Sequence, residues 1–92
     1  DVFLGSAGFE MKLRFYTTSG CHLCEDAWEL LLQWANRRLV TLDVDAVEIA
    51  DDPKLMQQYG IRIPVIAVGR DELDCPFDEI ALEAFLAPRL GE

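Results

Sequence analysis

The chain of 92 residues is 51% apolar, and its 17 acidic and 8 basic side chains give a formal charge of −9 at pH 7. This length and apolar content indicate one globular domain and exclude a largely disordered chain. An acidic surface repels phosphate backbones and anionic lipid, and no apolar run approaches the roughly 20 residues that span a bilayer, so we expect neither nucleic acid nor a membrane as a partner.

The cysteine content bears on where the protein works. Three cysteines, an odd number, argue against the disulfide framework of a small secreted protein. No export leader is visible, so we expect a cytoplasmic protein, in which paired cysteines are more often catalytic or metal-binding than structural. Residues 1–10 fit no predicted element. We interpret them as a flexible extension or a remnant of cloning or processing, with Met11 as a candidate native start and a single domain over residues 11–92.

The first half of the chain predicts a strand, a helix and a second strand. Residues 12–17 are rich in β-forming side chains and lead through a Thr/Ser/Gly turn into the sequence Cys-His-Leu-Cys at residues 21–24. Apolar residues then recur at helical spacing and predict a helix of about three to four turns. Residues 39–44 predict the second strand. Because the connection is short, we expect the two strands to be parallel and joined by a right-handed crossover.

The next segments predict a helix followed by a buried strand. Asp51-Asp52-Pro53 is a helix-start signal, and Gly60 suits a helix end with left-handed backbone. Residues 61–68 are the most apolar stretch and predict a buried strand, with Pro64 near its entry.

The last segments predict a hairpin and a final helix. Residues 69–72 predict the hairpin turn, and residues 73–75 the short return strand. Asp78 can cap a last helix that stops near Pro88. The predicted order is therefore β-α-β-α-β-β-α, with no internal repeat and no linker.

Two thiols three residues apart at a helix N-terminus predict thiol–disulfide chemistry. Cys21 and Cys24 can close a disulfide within one helical turn, and Cys21 would meet the positive end of the helix dipole, which favours a thiolate. A protonated His22 would act in the same direction, whereas Glu25 and Asp26 would oppose it.

Other interpretations of these residues are open at this point. The two cysteines could be inert, or they could form half of a zinc site completed by His22 and Cys75. Tetrahedral sites normally draw ligands from two separated segments, and His22 is too close to both thiols, so we predict no metal site. Cys75 is interpreted as a small packed hydrophobe, with a third redox thiol as the alternative. Four loosely spaced acids are interpreted as solvated surface with a helix cap: Asp43, Asp45, Asp51 and Asp52.

Three segments give the chain a resemblance to a known family. They are Tyr16-Thr17-Thr18-Ser19-Gly20-Cys21-His22-Leu23-Cys24, Tyr59-Gly60-Ile61-Arg62-Ile63-Pro64-Val65 and Leu73-Asp74-Cys75-Pro76-Phe77-Asp78. Together with the element order, they resemble the thioredoxin fold and, more closely, the short bacterial glutaredoxin-like proteins. The resemblance implies a thioredoxin-like α/β domain, with a four-stranded mixed sheet flanked by three helices.

The resemblance also implies roles for individual residues. Cys21 would be the exposed nucleophile and Cys24 the resolving thiol behind it. Pro64, preceded by Ile63, would follow a cis peptide bond and face the thiols across a groove. Glutathione, where glutaredoxins bind it, lies against the Pro64 segment and the turn at Asp78.

Some positions depart from the glutaredoxin pattern. The tyrosine between the two cysteines is absent, Thr18 stands where a lysine is common, and Asp74 and Cys75 replace the paired glycines of the glutathione-binding turn. We carry four residues forward as candidate contacts for substrate or glutathione: Tyr16, Thr18, Cys75 and Asp78.

These observations predict a small monomeric thiol–disulfide oxidoreductase. We expect no bound cofactor, glutathione as a candidate co-substrate, and a disulfide-bearing protein or glutathione as the partner. The alternative is a non-catalytic module of the same fold that senses redox state or binds a protein.

Overall fold

A computed structural model describes residues 9–90, and the expectations for residues 1–8 lie outside this range. The predicted order β-α-β-α-β-β-α is confirmed, with short 3₁₀ turns after β2 and α3. The elements are β1 (Phe9–Thr17), α1 (His22–Arg38), β2 (Val40–Glu48), α2 (Pro53–Tyr59), β3 (Val65–Val68), β4 (Asp71–Asp74) and α3 (Glu79–Leu86).

The four strands form one mixed sheet in the order β2-β1-β3-β4. As predicted, β1 and β2 are parallel, whereas β3 is antiparallel to both β1 and β4. Alternation along β1 sends Leu13 and Phe15 into a core with α1 and α3, and Tyr16 into a smaller core with α2. The sheet therefore separates two apolar cores, and the thioredoxin-like α/β fold class is confirmed.

The first two strands are longer than predicted. β1 begins at Phe9, so Phe9 and Glu10, which the sequence pattern assigns to the extension, pair with β2. β2 runs on to Glu48, four residues past its predicted end at residue 44. Asp43 and Asp45 lie on the exposed side of this edge strand, where alternating acids do not interrupt the ladder.

The third and fourth strands also differ from their predictions. β3 begins only after Pro64, which has no N–H for a ladder, and the predicted strand residue Ile61 is fully exposed in the preceding turn. β4 begins at Asp71 because the hairpin turn is only two residues long, with Gly69 at φ 61°.

The helix ends follow local signals with one exception. The predicted caps Asp52 and Asp78 accept hydrogen bonds from the backbone N–H groups of Lys54 and Ala81. Gly60 ends α2, but its backbone is right-handed, so the predicted left-handed ending was wrong. A Cβ at Gly60 would instead collide with the Met56 carbonyl oxygen.

The left-handed helix end is that of α1, where Leu39 has φ 57° and ψ 43°. Within residues 9–90, no helix is both long and apolar enough to cross a membrane.

Candidate active site

The two thiols of the Cys-His-Leu-Cys sequence lie at the N-terminus of α1, where β1 delivers the chain. Cys21 is the N-cap residue, and its Sγ accepts a hydrogen bond from the backbone N–H of Cys24 at 3.1 Å. The two Sγ atoms are at disulfide distance, with Cα atoms 5.2 Å apart. A sulfur that carries negative charge accepts an N–H bond more strongly and is stabilised by the helix dipole, so this position favours a thiolate at Cys21.

The two sulfur-bearing residues differ in accessibility. Cys21 is half-buried, whereas Cys24 is 3% exposed and packs in the larger core with Phe15 and Ala27. An external disulfide therefore reaches Cys21 more easily, and Cys24 stands behind it.

Glu48, which the sequence analysis missed, holds the turn that leads into Cys21. One carboxylate oxygen accepts the backbone N–H of Ser19 at 3.0 Å, and the other accepts that of Ala50 at 3.0 Å. The Ala50 bond, followed by a bond from the Thr18 side chain, lowers the pKa of the Glu48 carboxyl. In the sequence, Glu48 could be found only as an acid at the end of a strand parallel to β1. This is evident only once β2 is known to reach residue 48.

The proline segment lies between α2 and β3. The Ile63–Pro64 and Cys75–Pro76 peptide bonds are cis, and the Pro64 side chain is fully buried. The backbone N–H of Cys75 donates to the carbonyl oxygens of Arg62 and Pro64. These bonds join the proline segment to the end of β4.

Charged and aromatic side chains around Arg62, here called the Arg62 group, also fix the proline segment: Tyr59, Arg62, Glu72 and Asp74. The Arg62 guanidinium bonds to Glu72 and Asp74 and lies 4.9 Å from the Tyr59 ring centre. The Tyr59 hydroxyl donates to Glu72 at 2.6 Å and is the largest cause that lowers the pKa of that carboxyl. The bond from Arg62 lowers the pKa of Asp74. Burial is the largest cause that raises the pKa of Tyr59.

Two depressions flank the first turns of α1. The acidic cleft, about 640 Å³ in volume, contains Phe15, Cys21, Cys24, Trp28 and three carboxylates in its lining. The proline groove, about 310 Å³, lies on the other side. Its lining includes Leu23, Ala27, Pro64, Cys75 and Phe77.

The structure brings some of the predicted site residues together. Thr18 shares the acidic cleft with the two thiols, and Pro64 and Cys75 share the proline groove with Leu23, which lies between the thiols in sequence. Ile63 is half-buried and touches both cores. Cys75 is half-buried and forms no disulfide.

Other predicted site residues lie apart from the thiols. The His22 side chain is 95% exposed, and its Nδ1 is 3.8 Å from a Glu25 carboxylate oxygen. Asp78 is exposed and is used as the cap of α3. Tyr16 was expected as a ligand contact, but strand alternation sends it to the opposite face of the sheet, where it is buried and stacked on Tyr59 at 4.0 Å. That expectation was wrong.

The described part of the chain holds no group of three His, Cys, Asp or Glu side chains arranged to bind a metal ion. Within residues 9–90, the candidate site described above consists of two thiols, the turn that Glu48 holds and the proline segment.

Comparison with known proteins identifies the family of the chain. Residues 12–87 match the family described as Glutaredoxin-like domain (DUF836). The chain belongs to this family.

Solved structures of similar proteins share the glutaredoxin-like fold. The X-ray structure of target protein XcR50 from X. campestris is 39% identical, with a TM-score of 0.71, and the match covers 83% of this chain and 96% of that one. The solution NMR structure of protein Ne2328 from Nitrosomonas europaea is 26% identical, with a TM-score of 0.64, over 80% and 88% of the two chains.

A sequence relative is the uncharacterized protein Rv0508 from Mycobacterium tuberculosis. It is 29% identical over 80 residues, which cover 83% of this chain and 82% of the relative.

The glutaredoxin-like domain of this chain presents an apolar side chain beside its thiols. Leu23 is 59% exposed and lines the proline groove next to Pro64.

Proposed function

We propose that the protein is a thiol–disulfide oxidoreductase in which Cys21 attacks and Cys24 resolves. The observation that carries the proposal is the placement of the two sulfurs. They lie at disulfide distance at a helix N-terminus, with one half-buried and capping the helix and the other in the core. Helix N-termini are among the places where cysteine becomes reactive, because the thiolate is stabilised there.

The proposed cycle moves two electrons to the substrate. The Cys21 thiolate attacks one sulfur of a substrate disulfide, forms a mixed disulfide, and releases the other substrate sulfur as a thiolate that takes up a proton. Cys24 loses its proton and attacks the Cys21 sulfur, which releases the second substrate thiol and leaves Cys21 and Cys24 joined. Two molecules of an external thiol, with glutathione as the candidate co-substrate, then reduce the protein disulfide by two successive exchanges and leave as their own disulfide.

The proline segment supports this proposal. Pro64 lies two residues after Arg62, whose guanidinium bonds to Asp74, and it lines the same groove as the exposed Leu23. We propose that the substrate chain lies along this groove while its sulfur reacts with Cys21. We also propose, in keeping with the expectations above, that the protein acts as a monomer in a reducing compartment.

The test uses single cysteine variants and a glutathione mixed disulfide as substrate. We expect Cys21→Ser to abolish reduction, because the remaining thiol of the pair, Cys24, is 3% exposed and packed in the core. Cys24→Ser should accumulate a mixed disulfide with Cys21 that intact-mass measurement detects. Asp51→Asn, which changes an exposed acid that lines neither depression, is the control and should keep the wild-type rate. Reduction by Cys21→Ser at the wild-type rate would contradict the proposal.

A second candidate function is a redox-sensing or protein-binding module without turnover. The observation that favours it is the pair of carboxylates, Glu25 and Asp26, in or beside the first turn of α1, since negative charge opposes thiolate formation. This candidate predicts a reversible disulfide between Cys21 and Cys24, but no turnover with either glutathione or a thioredoxin reductase system.

A further inference from the structure

We infer that the acidic cleft selects disulfide-bearing polypeptides that carry cationic side chains next to the reactive cysteine. The inference rests on the proposed function of Cys21 and adds the class of substrate. It stands on the position, lining and charge of the cleft.

The cleft opens directly beside the reacting sulfurs. Cys21 and Cys24 are both part of its lining, together with Thr18 from the turn that Glu48 tethers. The cleft is therefore within reach of the side chains next to a substrate sulfur that reacts with Cys21.

Part of the lining of the cleft is apolar and aromatic. Phe15 and Trp28 meet edge to face, with ring centres 5.4 Å apart, and Ala46 of β2 also lines the cleft. Such a surface accommodates the methylene stem of a lysine or arginine, and an aromatic ring attracts the cationic end.

The rim of the cleft carries charge of one sign. Its acidic residues are Glu25, Asp26 and Glu29, and none of the lining residues within the described range is Lys, Arg or His. Glu25 has a weak partner in His22, at 3.8 Å. Neither Asp26 nor Glu29 takes part in an ion pair or a side-chain hydrogen bond anywhere in residues 9–90, so both carboxylates are available to a ligand.

Charge complementarity therefore points to a cationic occupant. A cleft lined by one sign of charge raises the local concentration of ligands of opposite sign and speeds their association. The whole chain, with a charge of −9, acts in the same direction. Glutathione carries a net negative charge, so the cleft disfavours it relative to a basic polypeptide.

The experiment compares three peptide disulfides that differ only in charge. Each is a cysteine peptide of the same length joined to a small neutral thiol, with the cysteine flanked by lysines, glutamines or glutamates. The full-length protein, reduced beforehand, is mixed with each peptide at low salt, and the single-turnover rate is divided by the rate with dithiothreitol. This division removes differences in the intrinsic reactivity of the peptides.

The expected order is lysine, glutamine, glutamate. We expect roughly tenfold between the first and the last at low salt, and a smaller ratio at high salt, because steering by charge is screened. The triple variant Glu25→Gln, Asp26→Asn, Glu29→Gln should lower the ratio well below the wild-type value, and the remaining negative charge of the chain accounts for what is left of it. Because the ratio compares peptides on the same protein, any change in the reactivity of Cys21 itself cancels.

A matched control removes the same number of charges elsewhere. Asp43→Asn, Asp45→Asn, Asp51→Asn changes three exposed acids that do not line the cleft, and it should lower the ratio much less than the rim variant does. Equal ratios in the rim variant and the control, or a ratio near one in the wild type, would overturn the inference while leaving the proposed function in place. If no peptide reacted faster with the wild type than with Cys21→Ser, the proposed function would fall, and the inference with it.

Discussion

Glu48 is the residue that connects the far end of β2 to the reacting thiol. Its two carboxylate oxygens accept backbone N–H groups from Ser19 and Ala50, so one side chain bridges two segments that are about 30 residues apart in the chain. Because Ser19 lies two residues before Cys21, the position of the nucleophile depends on this bridge.

A Glu48→Gln substitution tests the bridge. The amide has only one oxygen, so we expect one of the two backbone bonds to be lost and amide hydrogen exchange at Ser19 or Ala50 to rise by roughly threefold or more. The rate of reaction at Cys21 should fall, and the circular dichroism spectrum should not change. Asp51→Asn is the control, since it removes an acid close to the bridge in sequence; an equal effect of that variant would show that charge alone matters.

The pKa of Glu48 sets the pH at which the bridge operates. The carboxyl is stabilised as its anion, so the folded pKa lies below that of the unfolded chain. The contribution of the bridge is complete above the unfolded pKa and is lost as the pH falls through the folded value. Between pH 5 and 9, the wild-type protein should therefore show no change in exchange protection that depends on Glu48.

Leu39 is a non-glycine residue with left-handed backbone conformation. It ends α1 with φ 57°, a region that costs a non-glycine residue about 1–2 kcal/mol, and its side chain is 67% exposed. We expect Leu39→Gly to raise the free energy of unfolding by up to about 1 kcal/mol, since part of the gain is offset by the flexibility of glycine in the unfolded chain. Urea denaturation measures the change.

Leu39→Ala separates the backbone effect from the loss of the side chain. Alanine keeps the Cβ that makes the left-handed region unfavourable, so this variant should show no gain in stability. Equal free energies of unfolding for the alanine and glycine variants would contradict the explanation.

At the scale of elements, the turn before β3 is fixed to β4 by Arg62. The guanidinium spans Glu72 and Asp74 on the same side of β4, and it also covers the Tyr59 ring at the end of α2. Three elements thus converge on one side chain, two residues before Pro64. These contacts lie on the face of the sheet opposite the thiols, and they fix the backbone that leads to Pro64 in the proline groove.

Removing Arg62 should destabilise the protein in a manner that depends on pH. The pKa values of Glu72 and Asp74 are lowered in the folded state, so their contribution is present above the unfolded values and is lost as the pH falls through the folded ones. We expect Arg62→Gln to cost about 0.5–1 kcal/mol at pH 7, because the pairs are partly exposed, and less near pH 3. Urea denaturation at the two pH values measures both.

Arg37→Gln is the matched control. Arg37 pairs with Glu79 between α1 and α3, and both side chains are about half exposed. We expect a cost near the lower end of the range for surface pairs. A loss in Arg62→Gln that was the same at pH 7 and pH 3 would show that packing on Tyr59, rather than charge, holds the turn.

At the scale of the whole molecule, the features that could be predicted are those that depend on residues close together in the sequence. The element order, the caps Asp52 and Asp78, and the position of Cys21 at a helix start each follow from side chains within a few residues of the feature they specify. The parallel pairing of β1 and β2 followed from the short connection between them, and the family resemblance, also carried by short segments, added the four-stranded mixed sheet.

What could not be predicted depends on segments distant in sequence. The length of β2 is set by its register with β1, and the exposure of Ile61 by the point at which β3 starts to pair. The placement of Tyr16 needed only strand alternation, but its stacking on Tyr59 needed the position of α2. Glu48 was missed for the same reason, since its partner Ser19 lies near the end of another strand.

The two tryptophans of the thiol face differ in a way that has a practical consequence. Trp34 is sealed in the core, with its indole N–H bonded to Glu83, whereas Trp28 is half-buried and lines the acidic cleft. An occupant of the cleft would change the surroundings of one fluorophore and leave those of the other unaltered. Binding in the acidic cleft can therefore be followed by the intrinsic fluorescence of Trp28 in unlabelled protein, with the emission of the buried Trp34 as a constant background.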